Sequence, residues 1–154
     1  MRIQDLLKKE FIISHLSSHD KAGVISELIN HLTSQEKGLD SQEILKVILE
    51  RENLGSTGIG EGVAIPHGKM KNLKDFFILF GRSMEGVDFQ AIDNKPTQLF
   101  FLLLAPENSA TTHLKILARI SRLLMDRSFR KNLMEAKSVE EVYTTIVEED
   151  NKYT

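Results

Sequence analysis

Two apolar runs limit what this chain can fold into. Leu99, Phe100, Phe101, Leu102, Leu103, Leu104 and Ala105 follow one another with no polar residue between them, and so do Phe76, Phe77, Ile78, Leu79 and Phe80. A strand with one wet face alternates apolar and polar residues, whereas an uninterrupted run suits a strand covered on both faces by helices. The rest of the chain supplies those helices. Asp20, or Ser18 before it, can cap a helix reaching to about residue 34, with Val24, Ile25, Leu28, Ile29 and Leu32 on its apolar face. Asp40 and Glu43 stand at capping-box spacing before a second helix to about residue 52, expected to bury Ile44, Leu45, Val47, Ile48 and Leu49. Ser109, Thr111 or Thr112 can open a third, with Leu114, Leu117, Ile120, Leu123 and Leu124 at helical spacing, and two more are expected over 128–136 and 138–147. Short strands are expected over 11–13 and 63–65, an irregular or edge strand over 86–92, and a turn at Asn94, Lys95 and Pro96. The pattern is α/β, a small mixed sheet between helical layers.

Composition narrows the function. A chain of 154 residues forms one domain that can bury a core unaided. No cysteine is present, which removes disulfides, thiolate zinc sites and thiol nucleophiles. A net charge of −2 with both signs interspersed argues against a nucleic-acid surface. The run ending at Ala105 is far too short to span a bilayer, so no direct membrane insertion is expected. The first residues do not read as a secretory signal, and a cytoplasmic protein is expected.

Chemistry concentrates in residues 55–68, where Gly55, Gly58, Gly60, Gly62 and Gly68, five of the chain's nine glycines, precede or flank His67. A P-loop is excluded, because five residues rather than four separate Gly62 from Gly68 and Lys69, and Met70 follows where Ser or Thr is required. The spacing of Gly58, Gly60 and Gly62 also fails the dinucleotide fingerprint, which opens a helix after a strand. His67 remains, held between Pro66, which stiffens the approach, and Gly68, which clears space beside the ring. A neutral imidazole is a nucleophile near pH 7 and accepts a phosphoryl group on either ring nitrogen. His113 is a second candidate, in the first turn of a helix that follows a buried strand, where free N–H groups favour anions. Arg51 could hold a phosphoryl group bidentately, or pair with Glu50 or Glu52. His15, His19 and His31 lack the H-E-x-x-H arrangement and read as surface or capping residues.

These residues, taken in order, resemble a known family. Arg51 to Gly60, Val63 to Gly68, Ala91 to Pro96, and Thr112, His113 and Leu114 with Leu117 and Ala118 match the IIA domain of the fructose/mannitol class (EIIA type 2) of the bacterial phosphoenolpyruvate-dependent phosphotransferase system (PTS). The domain is expected over residues 5–148, most similar to the stand-alone nitrogen-regulatory branch. The resemblance implies a mixed, about five-stranded sheet with helices on both faces. It implies that His67 takes a phosphoryl group on Nε2 from an HPr-type phosphocarrier, with His113 and Arg51 as supporting groups. Such a transfer needs positioning and charge stabilisation, which a glycine-lined, helix-capped pocket provides with no cofactor and no metal. Three purposes stay open: a regulator whose phosphorylation state changes its binding to other proteins, a sugar-uptake subunit that passes the group to a IIB cysteine, or an interaction module that has lost transfer.

Overall fold

The computed structural model describes residues 1–153. Two 3-10 turns, Ile3–Asp5 and Lys9–Phe11, lead into β1 (Ile12–Ile13), α1 (Lys21–Gln35) and α2 (Ser41–Asn53). Five further strands complete the sheet: β2 (Gly58–Gly60), β3 (Val63–Ala64), β4 (His67–Met70), β5 (Phe77–Val87) and β6 (Thr97–Pro106). Three helices follow, α3 (Ala110–Leu124), α4 (Arg127–Glu135) and α5 (Val139–Asn151).

The sheet is mixed, in the order β1-β5-β6-β3-β2, with β4 also paired to β6. β6 is antiparallel to β5 and parallel to β3 and β4, which lie along it in succession, Val63 opposite Leu99 and His67 opposite Leu103. As its unbroken apolar run requires, every residue from Leu99 to Ala105 is buried. The two faces can be told apart from the residues they meet. Gly81 faces Leu28 of α1, and Gly68 faces Val47 and Ile48 of α2. Their neighbours point the other way: Arg82 reaches the carbonyls at the end of α4, and the His67 ring meets His113 of α3. α1 and α2 therefore cover one face, and α3 and α4 the other.

Local chemistry accounts for the helix starts. Asp20 accepts from Gly23 N at 2.7 Å, Asp40 from Gln42 N at 2.9 Å, Asp126 from Ser128 N at 2.8 Å and Ser138 from Glu141 N at 3.1 Å. α1 buries the expected Val24, Ile25, Leu28, Ile29 and Leu32. α2 buries Ile44 and Ile48, while Leu45, Val47 and Leu49 pack only partly against the core. α3 starts after Ser109, whose hydroxyl donates to the Pro106 carbonyl instead of capping the helix.

The expected edge strand over 86–92 is not formed. Gly86 and Val87 instead end β5 beyond a register shift after Arg82, and residues 88–94 leave the sheet. Burial still alternates over Val87, Phe89 and Ala91, with Phe89 packed against Phe100 at 5.3 Å, but Gln90 has a left-handed φ of 55°, which turns the backbone out of extended pairing.

Candidate active site

The backbone before His67 is held at each residue. Ile65 N donates to the Thr57 carbonyl at 3.1 Å, and the Pro66 carbonyl accepts from Leu103 N at 2.9 Å. Pro66 has no N–H of its own to satisfy. The chain then enters β4, so His67 lies within an edge strand and not in the loop after a strand that the sequence suggested. Its Nδ1 lies 2.8 Å from the Ile65 carbonyl. A carbonyl only accepts, so Nδ1 carries the proton and Nε2 holds the lone pair.

Strand alternation places Lys69 on the same side as His67 and Gly68 on the other. The three residues form the floor of a cavity of about 760 Å³ at the sheet edge, where α2 and α3 come round from opposite faces. α2 contributes Val47, Arg51 and Leu54; α3 contributes His113, Leu114 and Leu117. The rim is apolar and exposed at Leu54 and Leu114. The three residues singled out in the sequence, His67, His113 and Arg51, thus share one cavity, although 62 positions separate Arg51 from His113.

The two histidine rings stand edge to face, centroids 5.4 Å apart and planes at 87°. His113 is 3% exposed and neither of its ring nitrogens has a hydrogen-bond partner among the described residues. Burial, then the neighbouring His67 and Lys69, pulls its pKa down to about 4. Burial also lowers the His67 pKa; the bond to Ile65 works against it and Arg51 reinforces it. Both rings are therefore neutral near pH 7. Arg51 pairs with neither Glu50 nor Glu52 among the described residues, and its Nη1 donates to the Gly55 carbonyl at 2.9 Å. That bond turns the guanidinium to the chain segment that follows α2 and leaves its other N–H groups unassigned.

The glycine run does something other than line the cavity. Gly60, Glu61 and Gly62 all have positive φ (92°, 57° and 77°) and form the turn between β2 and β3. That turn is pinned to the next loop, with Glu61 N donating to Asp93 at 3.1 Å and Ile92 N to the Gly58 carbonyl at 3.1 Å. Of the run's glycines, only Gly68 borders the cavity. Sequence reasoning also missed Lys69, which a strand reading through His67 would have found. It missed Glu52 as well, a buried carboxylate that has no apolar periodicity to mark it. Away from the cavity, His31 Nε2 lies 2.6 Å from the Glu10 carbonyl, His15 meets Ser14, and His19 lies 3.6 Å from Glu85.

Residues 5–149 match the family model of the phosphoenolpyruvate-dependent sugar phosphotransferase system, EIIA 2. The nitrogen regulatory protein of Bradyrhizobium diazoefficiens is 40% identical over 146 residues, covering 95% of each chain. The fructose-specific EIIABC component of Bacillus subtilis is 41% identical over 150 residues; the match takes in 97% of this chain but spans only 24% of that protein. The crystal structure of the nitrogen regulatory protein IIA-Ntr from Neisseria meningitidis superposes with a TM-score of 0.88 at 35% identity, covering 94% of this chain and 98% of that one.

Proposed function

This chain belongs to the EIIA type 2 family of the phosphoenolpyruvate-dependent sugar phosphotransferase system and is a phosphoryl-relay component; from that premise we propose that His67 is the residue that carries the phosphoryl group. The observation that supports this most directly is the 2.8 Å bond from Nδ1 to the Ile65 carbonyl. It leaves the Nε2 lone pair as the nucleophile, in a cavity whose walls bring a guanidinium, an ammonium and a second imidazole. In the transfer, the N–P bond of a carrier's phosphohistidine breaks as the Nε2–P bond forms. The His67 proton stays on Nδ1, so no base is needed. Arg51 and Lys69 offset the charge of the phosphoryl oxygens, and neutral His113 has one N–H to donate to them.

The carrier is an HPr-type phosphocarrier protein, met in the cytoplasm through the apolar rim of Leu54 and Leu114. No helix among the described residues is long and apolar enough to cross a membrane. A regulatory purpose, in which phosphorylation changes the partners this chain binds, is supported by the nearly end-to-end likeness to nitrogen regulatory proteins. The comparable identity to a fructose-specific component, 41% against 40%, favours a second reading, onward transfer to a IIB cysteine.

Incubation with phosphoenolpyruvate, enzyme I and an HPr-type carrier is expected to add one acid-labile phosphate, which His67→Ala abolishes. Label that persists in that variant would overturn the assignment. Adding candidate IIB proteins separates the purposes, since onward transfer marks an uptake subunit. A chain that takes phosphate from no carrier of its own cell would be an interaction module instead.

A further inference from the structure

The peptide that fixes the His67 tautomer is itself anchored, through buried groups, to a charged pair outside the cavity. Glu52, in the last turn of α2, is 4% exposed, and its side chain turns away from the cavity that its neighbour Arg51 lines. Its carboxylate takes both hydrogen-bonding groups that Thr57 offers: Oε2 accepts from the backbone N–H at 2.8 Å, and Oε1 from the hydroxyl. The Thr57 carbonyl then accepts from Ile65 N at 3.1 Å, and the Ile65 carbonyl accepts from His67 Nδ1. On the far side of Glu52, Lys21 Nζ lies 2.8 Å from Oε2. That ammonium is seated by Gln90 Oε1 at 3.2 Å and by the Phe89 ring, 4.9 Å to the centroid.

We propose that Glu52, neutralised by Lys21, is a positioning residue for His67: it fixes the Thr57 and Ile65 backbone whose carbonyl keeps the imidazole proton on Nδ1. Three physical points carry this. A buried carboxylate without a cation and donors is too costly to persist, so Lys21 and the two Thr57 donors must be retained together. The two bonds to Thr57 fix both its main chain and its side chain, so its carbonyl direction is set on either side. Pro66 then leaves the Ile65 carbonyl little freedom, because the following φ is locked. Thr57 N–H and its carbonyl belong to different peptide units, so no charge is relayed through a peptide: the link to His67 is geometric, and the Glu52 charge acts on the ring separately, through space, by raising its pKa.

This inference rests on His67 being the phosphoryl acceptor, but its first readout does not. The imidazole 15N and proton resonances of unphosphorylated, labelled protein report the tautomer directly. In the native chain His67 is expected in the Nδ1–H form. In Glu52→Gln an amide replaces one acceptor oxygen and faces Lys21 with no charge. The expected result is a mixture of tautomers and a phosphoryl-acceptance rate lowered about tenfold, in keeping with the steep cost of small misplacements, with the final amount of label unchanged. Lys21→Met, at a partly exposed position, is expected to shift both readouts in the same direction by less, and decides the question if Glu52→Gln does not fold. Variants that are only less stable, with the tautomer and the rate unmoved, would overturn the proposal. A native chain that takes no phosphate on His67 would overturn the earlier reading while leaving the tautomer result in force.

Discussion

His113 is buried, has no hydrogen-bond partner on either ring nitrogen among the described residues, and lies edge-on to His67. In the free chain such a residue costs stability, because a buried donor or acceptor forgoes its bonds to water. A phosphoryl group on Nε2 of His67 would supply the missing acceptor, so this cost falls only in the phosphorylated state. The same burial ties the residue to pH. A histidine with a folded pKa of about 4, against the usual 6.5, is protonated first in the unfolded chain. Its contribution is therefore whole above pH 6.5 and is lost as the pH falls from there towards 4, by up to roughly 3 kcal/mol. Denaturant unfolding near neutrality and again at about pH 4.5 should show the native chain losing more stability than His113→Asn between the two. Equal losses would mean that His113 titrates as an exposed histidine does.

At the scale of elements, the glycine run divides into a turn and a strand, and each part predicts a different result. Gly60 has φ 92° and an added Cβ would lie 3.2 Å from Asp93 Oδ2. Gly60→Ala should lower unfolding stability by about 1–2 kcal/mol through left-handed strain, with transfer by the folded fraction unchanged. Gly68 has ordinary φ, but a Cβ there would meet Val47 Cγ1 of α2 at 2.6 Å. Gly68→Ala should cost about 1–3 kcal/mol and also slow transfer, because the clash has to be relieved by turning Val47 or by shifting β4 or α2, and all three line the cavity. A Gly68→Ala protein with native stability and rate would show that the strand and helix are less tightly packed than this. The division also marks what could be read in advance. Strand β6, the buried face of α1 and the caps at Asp20, Asp40 and Ser138 follow from local composition and were legible. His67, His113 and Arg51 were legible as candidates through spacing and family resemblance, and the fold brings all three to one cavity. The extent of β5, the strand identity of His67 and the role of Glu52 were not. Each depends on a partner distant in sequence: Leu99 for Arg82, Leu103 for His67, and Lys21 for Glu52.

The whole molecule is held across its layers by a buried cation that has no carboxylate partner among the described residues. Arg82, 2% exposed on β5, donates from Nε to the Ser14 carbonyl at 3.0 Å and from Nη1 to the Leu133 and Ala136 carbonyls at 2.8 and 2.7 Å. The latter two lie at the end of α4, where free carbonyls and the negative end of the helix dipole offset a positive charge. One side chain thus joins the segment after β1, the central sheet and the C-terminal helical layer. Burial lowers its pKa, yet a guanidinium stays charged at any ordinary pH. Arg82→Met would leave three carbonyls short of a donor, and should lower unfolding stability by about 3 kcal/mol or more in urea titration. Arg82→Lys should recover little of this, since a single ammonium on a flexible stem cannot reproduce a planar fork aimed at two separate segments. If the lysine variant unfolded at the native urea midpoint, charge alone would suffice at this position, and the fork geometry would be irrelevant to how the layers are held.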